Sequence, residues 1–547
     1  LTFRSSPDGR DEAGIYIPGR KGSILGSKYD WNFTSIPQAG ANDRVIGQNR
    51  GRVLGGCSAL NLLSWDRGAA ADYDAWEELG NPDWNAATMF PAMREVEEYH
   101  ITPANGSAEL KGYGTEGPIN FVVNRLAPPQ QEQFFPAMQS LGIEQTDRYL
   151  EGDMIGYMRH TSNIQPSNYT RSYSPAYLAD APNNLHLLLE TEVAKVNINK
   201  DARATGVTLK DGTVIKASKE VVLSAGTIQS AQLLELSGVG QKDVLEAAGV
   251  ELKAELSGVG ENLQDHVRIV NTYQLRDNYT TPDILRFNAT HAAEQLSLWQ
   301  NNKTSLYDST SSGYAYLQWD QVLDDPSSLI ASAKASADPS NAIDQKKLKN
   351  LEDSSKLVPQ LEVLFSDGYL GAKGYPAASS ALYGSSFFAL IGVIQHPLSR
   401  GSSHIKSPDF NAKPIFDPNY LSNAYDLEGV AQIAKYLRKI AQTASMSYAW
   451  TAEYEPGLDV VAEDANDEDW VEYAKTNMAS IWHPVGTCAM MPKKDGGVVS
   501  PELKVYGVDG LRVVDASIMP ALVSGHIQSA VYGIAERAAQ IMSEEWA

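Results

Sequence analysis

The sequence predicts an α/β fold in which two domains interleave along the chain, and three observations carry that prediction. Residues 220–240, EVVLSAGTIQSAQLLELSGVG, read as a strand, a turn of small residues and an amphipathic helix, the building unit of a nucleotide-binding parallel sheet. Strand-like runs at residues 187–196, 207–209 and 220–223 lead into it, and the strand LRVVDAS at residues 511–517 returns near the C-terminus. Between them, the alternation of Leu361, Val363 and Phe365 and the helical stripe Val430, Ile433, Leu437 and Ile440 mark a second sheet-and-helix domain. At 547 residues, 43% apolar and 20% charged, the chain has material for a large core and is too long for one small module.

Taken in order, the first sixty residues are rich in turn signals, with Tyr29 to Phe33 placed as an extended aromatic segment. Residues 49–61, NRGRVLGGCSALN, then gather three glycines and two arginines without helical or strand periodicity. Gly55 and Gly56 permit positive φ and leave backbone N–H groups facing outward, so the segment reads as an anion cradle that opens a helix at Ser58. Residues 72–79 and 87–99 read as helices and 112–118 as a loop. In residues 220–240 the helix carries Ile228, Ala231, Leu234 and Leu236 on one side and stops at Gly238. Residues 266–358 turn polar and read as peripheral, and within them 305–356 as a solvated insertion. Strands return over residues 359–397, followed by a helix over 427–441.

Composition excludes several function classes. The formal net charge is −22 and no basic run gathers phosphates, which argues against nucleic acid. The longest apolar stretch, residues 377–394, is broken by Ser, Gly and Tyr and reads as buried strand rather than a membrane span. Two cysteines, Cys57 and Cys488, lack metal-site spacing and read as small buried hydrophobes. Six Asn-x-Ser/Thr acceptors, at Asn32, Asn105, Asn168, Asn278, Asn288 and Asn302, and the acidic balance point to secretion. The opening residues Leu1, Thr2, Phe3 and Arg4 contain neither an initiator Met nor a signal peptide, so the chain is expected to lack its natural N-terminus.

The last seventy residues hold the candidate chemistry. His483 sits in the turn WHPVGTC, and His526 in SGHIQSAVYGIAERAAQIM, at the start of a helical run through Ile527, Ala530, Val531, Ile534 and Ala535. A histidine in a first helical turn is expected to be kept neutral by the macrodipole, and a neutral imidazole can take a proton from an alcohol.

These segments, with GVGENLQDH at residues 258–266, resemble the glucose-methanol-choline flavoprotein oxidoreductases over nearly the whole chain. The resemblance implies a Rossmann-like FAD-binding domain assembled from residues 1–72, 170–268 and 476–547. It implies a substrate domain with a mixed or antiparallel sheet flanked by helices from residues 73–169 and 269–475. It places Gly55, Gly56, Cys57, Asn61, Leu62 and Ser64 where the glycine-rich motif meets FAD, Val193 by the adenine, and Ala225 and Gly226 by the adenosine. Asp515, Ala516, His526 and Gln528 are expected near the cofactor, and no metal is implied. His483 matches the proton-abstracting histidine and His526 its partner. The family's N-terminal G-x-G-x-x-G unit is absent, and the glycines of residues 238–240 and 258–260 do not replace it.

The implied reaction is oxidation of a primary alcohol, with oxygen, a quinone or another electron acceptor as second substrate. Glucose-oxidising relatives place Arg and Asn where this chain has Ala479 and Ile481, which weakens sugar recognition. Ile481, Trp482 and Leu62 instead form the apolar wall expected for an aryl or allylic alcohol, similar to aryl-alcohol oxidases. A sugar oxidase or dehydrogenase, a non-redox lyase or cyclase on the same scaffold, and a flavin-free binding remnant are the alternatives.

Overall fold

The computed structural model describes residues 9, 11–102 and 110–546; Leu1 to Arg4 and the acceptor Asn105 lie outside them. The helices α1 (Ala70–Glu78) and α2 (Ala86–Glu95) follow the expected pattern, except that α2 stops at Glu95 and the chain enters a strand, Glu97–His100, parallel to Ile119–Val123. After β1 (Gly156–Arg159) comes an antiparallel sheet of β2 (Val193–Ile198), β3 (Ala204–Leu209) and β4 (Val214–Lys216). The strand expected over residues 187–196 is therefore shorter than its apolar run: Leu187, Leu188 and Leu189 lie exposed in a loop. β5 (Val221–Leu223) leads into α3 (Gly226–Leu236), and Gly238, at φ +87°, ends the helix as expected of a left-handed cap.

The dominant feature is a seven-stranded sheet. β6 (Val267–Leu275), β7 (Gly313–Leu317), β8 (Leu361–Asp367), β9 (Phe387–Ile394) and β10 (Trp450–Glu455) join β1 in the order β10-β6-β9-β8-β7-β1, and β11 (Ala479–Ser480) pairs with the start of β6. Residues 267–275 and 313–317 are thus interior strands, which corrects at these two segments the reading of residues 266–358 as peripheral and of 305–356 as a solvated insertion, whereas residues 324–356 are largely half-exposed or exposed, as expected. Their polar side chains mislead because they bond inside the protein: Asn271 and Thr272 to the Ala434 and Leu370 carbonyls, Tyr314 to Ser64, and Tyr316 to Asp66 and Glu362. Of the apolar stretch 377–394, β9 is strand and the part before it is turn, with Tyr383 exposed.

Strand alternation gives this sheet two faces. One packs Val363, Phe365, Phe388 and Leu390 against α4 (Ala424–Ala441), whose Ile433, Leu437 and Ile440 form the stripe read from the sequence. The other presents Tyr314, Tyr316, Leu364 and Val393 towards Trp65 and Ile481. A separate core joins α1, α2 and α3 to β12 (Leu511–Val513), which pairs in parallel with β5, and to α5 (Gln528–Trp546). The catalytic candidates lie between this core and the second sheet face. The five described Asn acceptors are surface residues, although the Asn302 amide bonds Ser167 and Arg125. Among the described residues no helix is long and apolar enough to cross a membrane.

Candidate active site

His483 follows the short strand β11 through Trp482, a residue held at φ +66°. Such a conformation costs about 1–3 kcal/mol and persists where its surroundings fix it. Here one buried carboxylate does so. Asp265 Oδ1 accepts the His483 backbone N–H at 2.7 Å, while Oδ2 accepts Ser480 Oγ at 2.6 Å, Gln48 Nε2 at 3.1 Å and Tyr420 OH at 2.5 Å. Arg50 Nη2 donates to the Trp482 carbonyl at 2.5 Å, and Arg268 lies 5.5 Å above the Trp482 ring system.

The hydrogen bonds around His483 assign its proton. His266 Nε2 meets only a carbonyl, Gln395 O, at 2.9 Å, so it donates there. Burial, reinforced by the positive potential of His396, lowers the His266 pKa well below the usual value, leaving Nδ1 an acceptor. His483 Nδ1, 2.9 Å away, must then carry its proton and donate. Burial, then repulsion from His526 and His266, also holds His483 far below an ordinary histidine. Its Nε2 therefore bears a free lone pair at neutral pH.

His526 is in the opposite state, which corrects the expectation of a helix-neutralised imidazole. It precedes α5, and its backbone N–H and Nδ1 donate to Asp66 Oδ1 at 2.8 Å and Oδ2 at 3.1 Å. Burial opposes charge, but Glu362, 3.5 Å away, and Asp66 outweigh it and raise the His526 pKa. Asp66 is itself desolvated, yet His526 and His160, the latter donating at 2.8 Å, keep it ionised far below the usual carboxylate range. Tyr316 OH lies 2.7 Å from Asp66 and 2.8 Å from Glu362, and its single proton serves one carboxylate at a time. Burial pushes Glu362 up to about 7, with the His526 charge opposing and Asp66 reinforcing, so Glu362 shares a proton with this network near neutrality. Asp66, His160 and His526 have metal-ligand types within 4.8 Å of one another, but Oδ2 of Asp66 already accepts from both histidines and has Tyr316 OH in reach, which makes the cluster a proton network. The His483 and His526 rings face each other edge to face, centroids 5.1 Å apart.

Gln395 joins the two sides. Its carbonyl accepts the hydrogen bond from His266 Nε2–H, its side-chain oxygen accepts Gly525 N–H at 2.6 Å, and its amide donates to Glu362 at 3.2 Å. Sequence reasoning missed Asp66, His160, Glu362 and Gln395, and met His266 only inside a motif.

The remaining candidates form two groups. Asn61 Nδ2 donates to Gln528 Oε1 at 2.7 Å, Gln528 Nε2 bonds the Ser64 carbonyl, and Ser64 Oγ pairs with Tyr314 OH at 2.6 Å. Leu62, Ile481 and Trp482 are half-buried. At the other group, Asp515 Oδ2 accepts Gly226 N–H at 2.8 Å and Ser230 Oγ at 2.5 Å, which fixes the start of α3 beside the half-buried Ala225 and Ala516. Val193 is buried at the head of β2. The helix expected after the glycine cradle is one turn, Cys57–Leu60, too short to act as a dipole; the cradle is the backbone itself. Gly56 at φ +53° and Gly226 at φ +80° would place a Cβ in open space, and Cys57 is exposed, which contradicts its reading as buried, whereas Cys488 is buried as expected. Open space beside Gly56 and Gly226 and half-buried side chains around them fit a long dinucleotide such as FAD, which the 55–64 and 225–226 segments would hold.

Comparisons with known proteins agree. The GMC oxidoreductase family matches residues 19–268 and 397–535. A dehydrogenase of Armillaria gallica is 32% identical over 96% of this chain and 85% of its own length. An FAD-dependent oxidoreductase from Chaetomium thermophilum superposes with a TM-score of 0.88 at 28% identity, covering 99% of this chain and 94% of that one. A fungal aryl-alcohol oxidase gives a TM-score of 0.83 at 26% identity, covering 95% and 90%. With two matched regions spanning most of its length and a fold shared with flavin enzymes, the chain belongs to the GMC oxidoreductase family and is an FAD-dependent oxidoreductase.

Proposed function

We propose that the protein oxidises a primary alcohol, aryl or allylic, to the aldehyde, with oxygen or another acceptor taking the electrons. One observation carries this reading: two facing histidines with opposite protonation, a neutral His483 with a free Nε2 and an imidazolium His526. His483 accepts the hydroxyl proton through Nε2, and His526 stabilises the alkoxide charge that develops. Bound FAD supplies the hydride acceptor. Asp66 and Glu362 keep His526 charged, and His266 keeps the His483 proton on Nδ1. Leu62, Ile481 and Trp482 offer an apolar wall for a ring, and the similarity to an aryl-alcohol oxidase supports the same substrate class.

The test is anaerobic mixing of flavin-loaded protein with a benzylic alcohol. The ~450 nm flavin band should bleach, and His483→Ala should slow bleaching by at least ~10²-fold, the usual contribution of a general base. An unchanged spectrum across aryl alcohols, aliphatic alcohols and sugars would overturn the proposal.

A further inference from the structure

The proposed reaction leaves one proton without a destination. His483 lies far below an ordinary histidine partly because His526 is charged, their ring centroids 5.1 Å apart. While the substrate is an alkoxide, its charge balances two protonated imidazoles. Once the product is a neutral aldehyde that anion is gone, and two like charges face each other in a buried site. One proton has to leave. His483 Nδ1 is no exit, because it meets His266, which burial holds neutral and whose other nitrogen ends on the Gln395 carbonyl.

The opposite side of the site offers a path. His526 Nδ1 lies 3.1 Å from Asp66 Oδ2, Asp66 Oδ2 2.7 Å from Tyr316 OH, and Tyr316 OH 2.8 Å from Glu362 Oε1, an unbroken line from imidazolium to carboxylate. Strand alternation puts Glu362 on the face of β8 that carries Leu364, against Tyr314 and Tyr316 of β7. Asp66, far below the usual carboxylate range, passes a proton without keeping it, and the Tyr316 hydroxyl gives one proton while receiving another. Gln395 Nε2 holds Glu362 Oε2 at 3.2 Å, which leaves Oε1 for the incoming proton. Among the described residues no Lys or Arg pairs with Glu362. The titratable groups facing it are Asp66, Tyr316 and His526, with His160 behind Asp66 and His483 and Lys21 acting on His526. Burial brings Glu362 to about 7, so above neutrality it is an ionised group with high affinity for a proton.

We propose that Glu362 stores this proton: after hydride transfer the His526 Nδ1–H bond breaks, an O–H bond forms on Glu362 Oε1 by way of Asp66 and Tyr316, and His526 is left neutral beside a protonated His483. Imidazolium and carboxylate become imidazole and carboxylic acid, and no electrons move in this step; the electron pair has already left with the hydride. Oxygen and quinones each take up two protons with two electrons, and the oxidised alcohol supplies both, so the stored proton stays at hand for the acceptor. Because the relay follows hydride transfer, it shows in where the proton goes rather than in kcat/KM. This rests on the alcohol reading above and adds the fate of the hydroxyl proton.

The experiment uses holoenzyme, isotope-labelled in its glutamate carboxyls and reduced anaerobically by benzyl alcohol at about pH 8, above the Glu362 value. As the flavin bleaches, wild type should gain the infrared carbonyl band of a protonated glutamate, and a pH-indicator dye should report little proton release. Glu362→Gln should lose the band. Tyr316→Phe keeps both carboxylates but cuts the line, so it should lose the band and release close to a full proton per flavin. A Glu362 that only shapes the site gives no such band. Wild type that releases a full proton and gains no band overturns the store without any variant. A band that survives Glu362→Gln belongs to another glutamate and overturns it, and a band that survives Tyr316→Phe without proton release overturns the route. If no alcohol bleaches the flavin, the alcohol reading falls, and infrared titration of resting holoenzyme decides instead. A glutamate band that rises as pH falls through about 7 and is lost in Glu362→Gln supports the store, and its absence overturns it.

Discussion

Asp66 and Glu362 control the site together, because their charges decide which histidine is protonated. His526 has a raised pKa, so it is charged at neutral pH and loses its proton only as pH climbs above the ordinary histidine range. Alkaline loss of activity is expected to follow that deprotonation, and the acid limb, set by the depressed His483, to lie below about pH 6.5. Asp66→Asn removes one of the two carboxylates that sustain the imidazolium. The alkaline limb of kcat/KM should then move to lower pH by about one unit or more, with the acid limb little changed. A pH profile of the holoenzyme checks this, and an unmoved alkaline limb would assign it to another group. The histidines were legible in the sequence because each stands at a junction of turn and element. Asp66, Glu362 and Gln395 were not, since single polar residues inside strands and turns carry no periodic signal.

At the scale of the element, the junction of β9 with α4 depends on one missing side chain. A Cβ at Gly392 would stand 2.0 Å from Ile433 Cγ2 and 3.4 Å from Leu437 Cδ1. Gly392→Ala is therefore expected to destabilise the protein by about 1–3 kcal/mol through overpacking, seen as a lower thermal midpoint. In the Gly392→Ala background, Ile433→Ala should cost less than it does alone, because it removes the clashing methyl group; simple additivity in thermal melts would show that the strand and helix are not in this contact. The stripe of α4 and the alternation of β8 were readable from periodicity. The length of the strand beginning at Val193 was not, because three leucines before it lie in a loop where a core was expected.

Over the whole molecule, His404 fastens a two-stranded hairpin, Ser402–His404 paired with Ile415–Asp417, to α3 and to the loop at Glu261. Both ring nitrogens meet carboxylates, Glu235 at 2.7 Å and Glu261 at 3.1 Å, so both carry protons. Burial opposes the charge, but Glu235 and then Glu261 raise the His404 pKa to about 9. A folded pKa above the unfolded value of about 6.5 stabilises the protein fully below pH 6.5, and the contribution is lost as pH rises through about 9. On the order of 3 kcal/mol is involved. His404→Gln should lower the thermal midpoint clearly at pH 6 and far less at pH 10; equal losses at both would show that packing rather than charge is responsible.

Residue order alone determined the α/β class, the strand, turn and helix at residues 220–240, the stripe of α4 and the two histidines, because periodicity and turn chemistry are local properties. Tertiary structure decided what those histidines are. The groups that set their protonation stand at positions 66, 160, 266, 316, 362 and 395, and only the folding of the seven-stranded sheet over the C-terminal segment brings them to hydrogen-bond distance. Within residues 266–358, Tyr314 and Tyr316 line that interior, while most of the polar residues around them lie at the surface. A sequence displays polarity without direction, and the strand face that a side chain occupies is fixed only when its neighbours are in place.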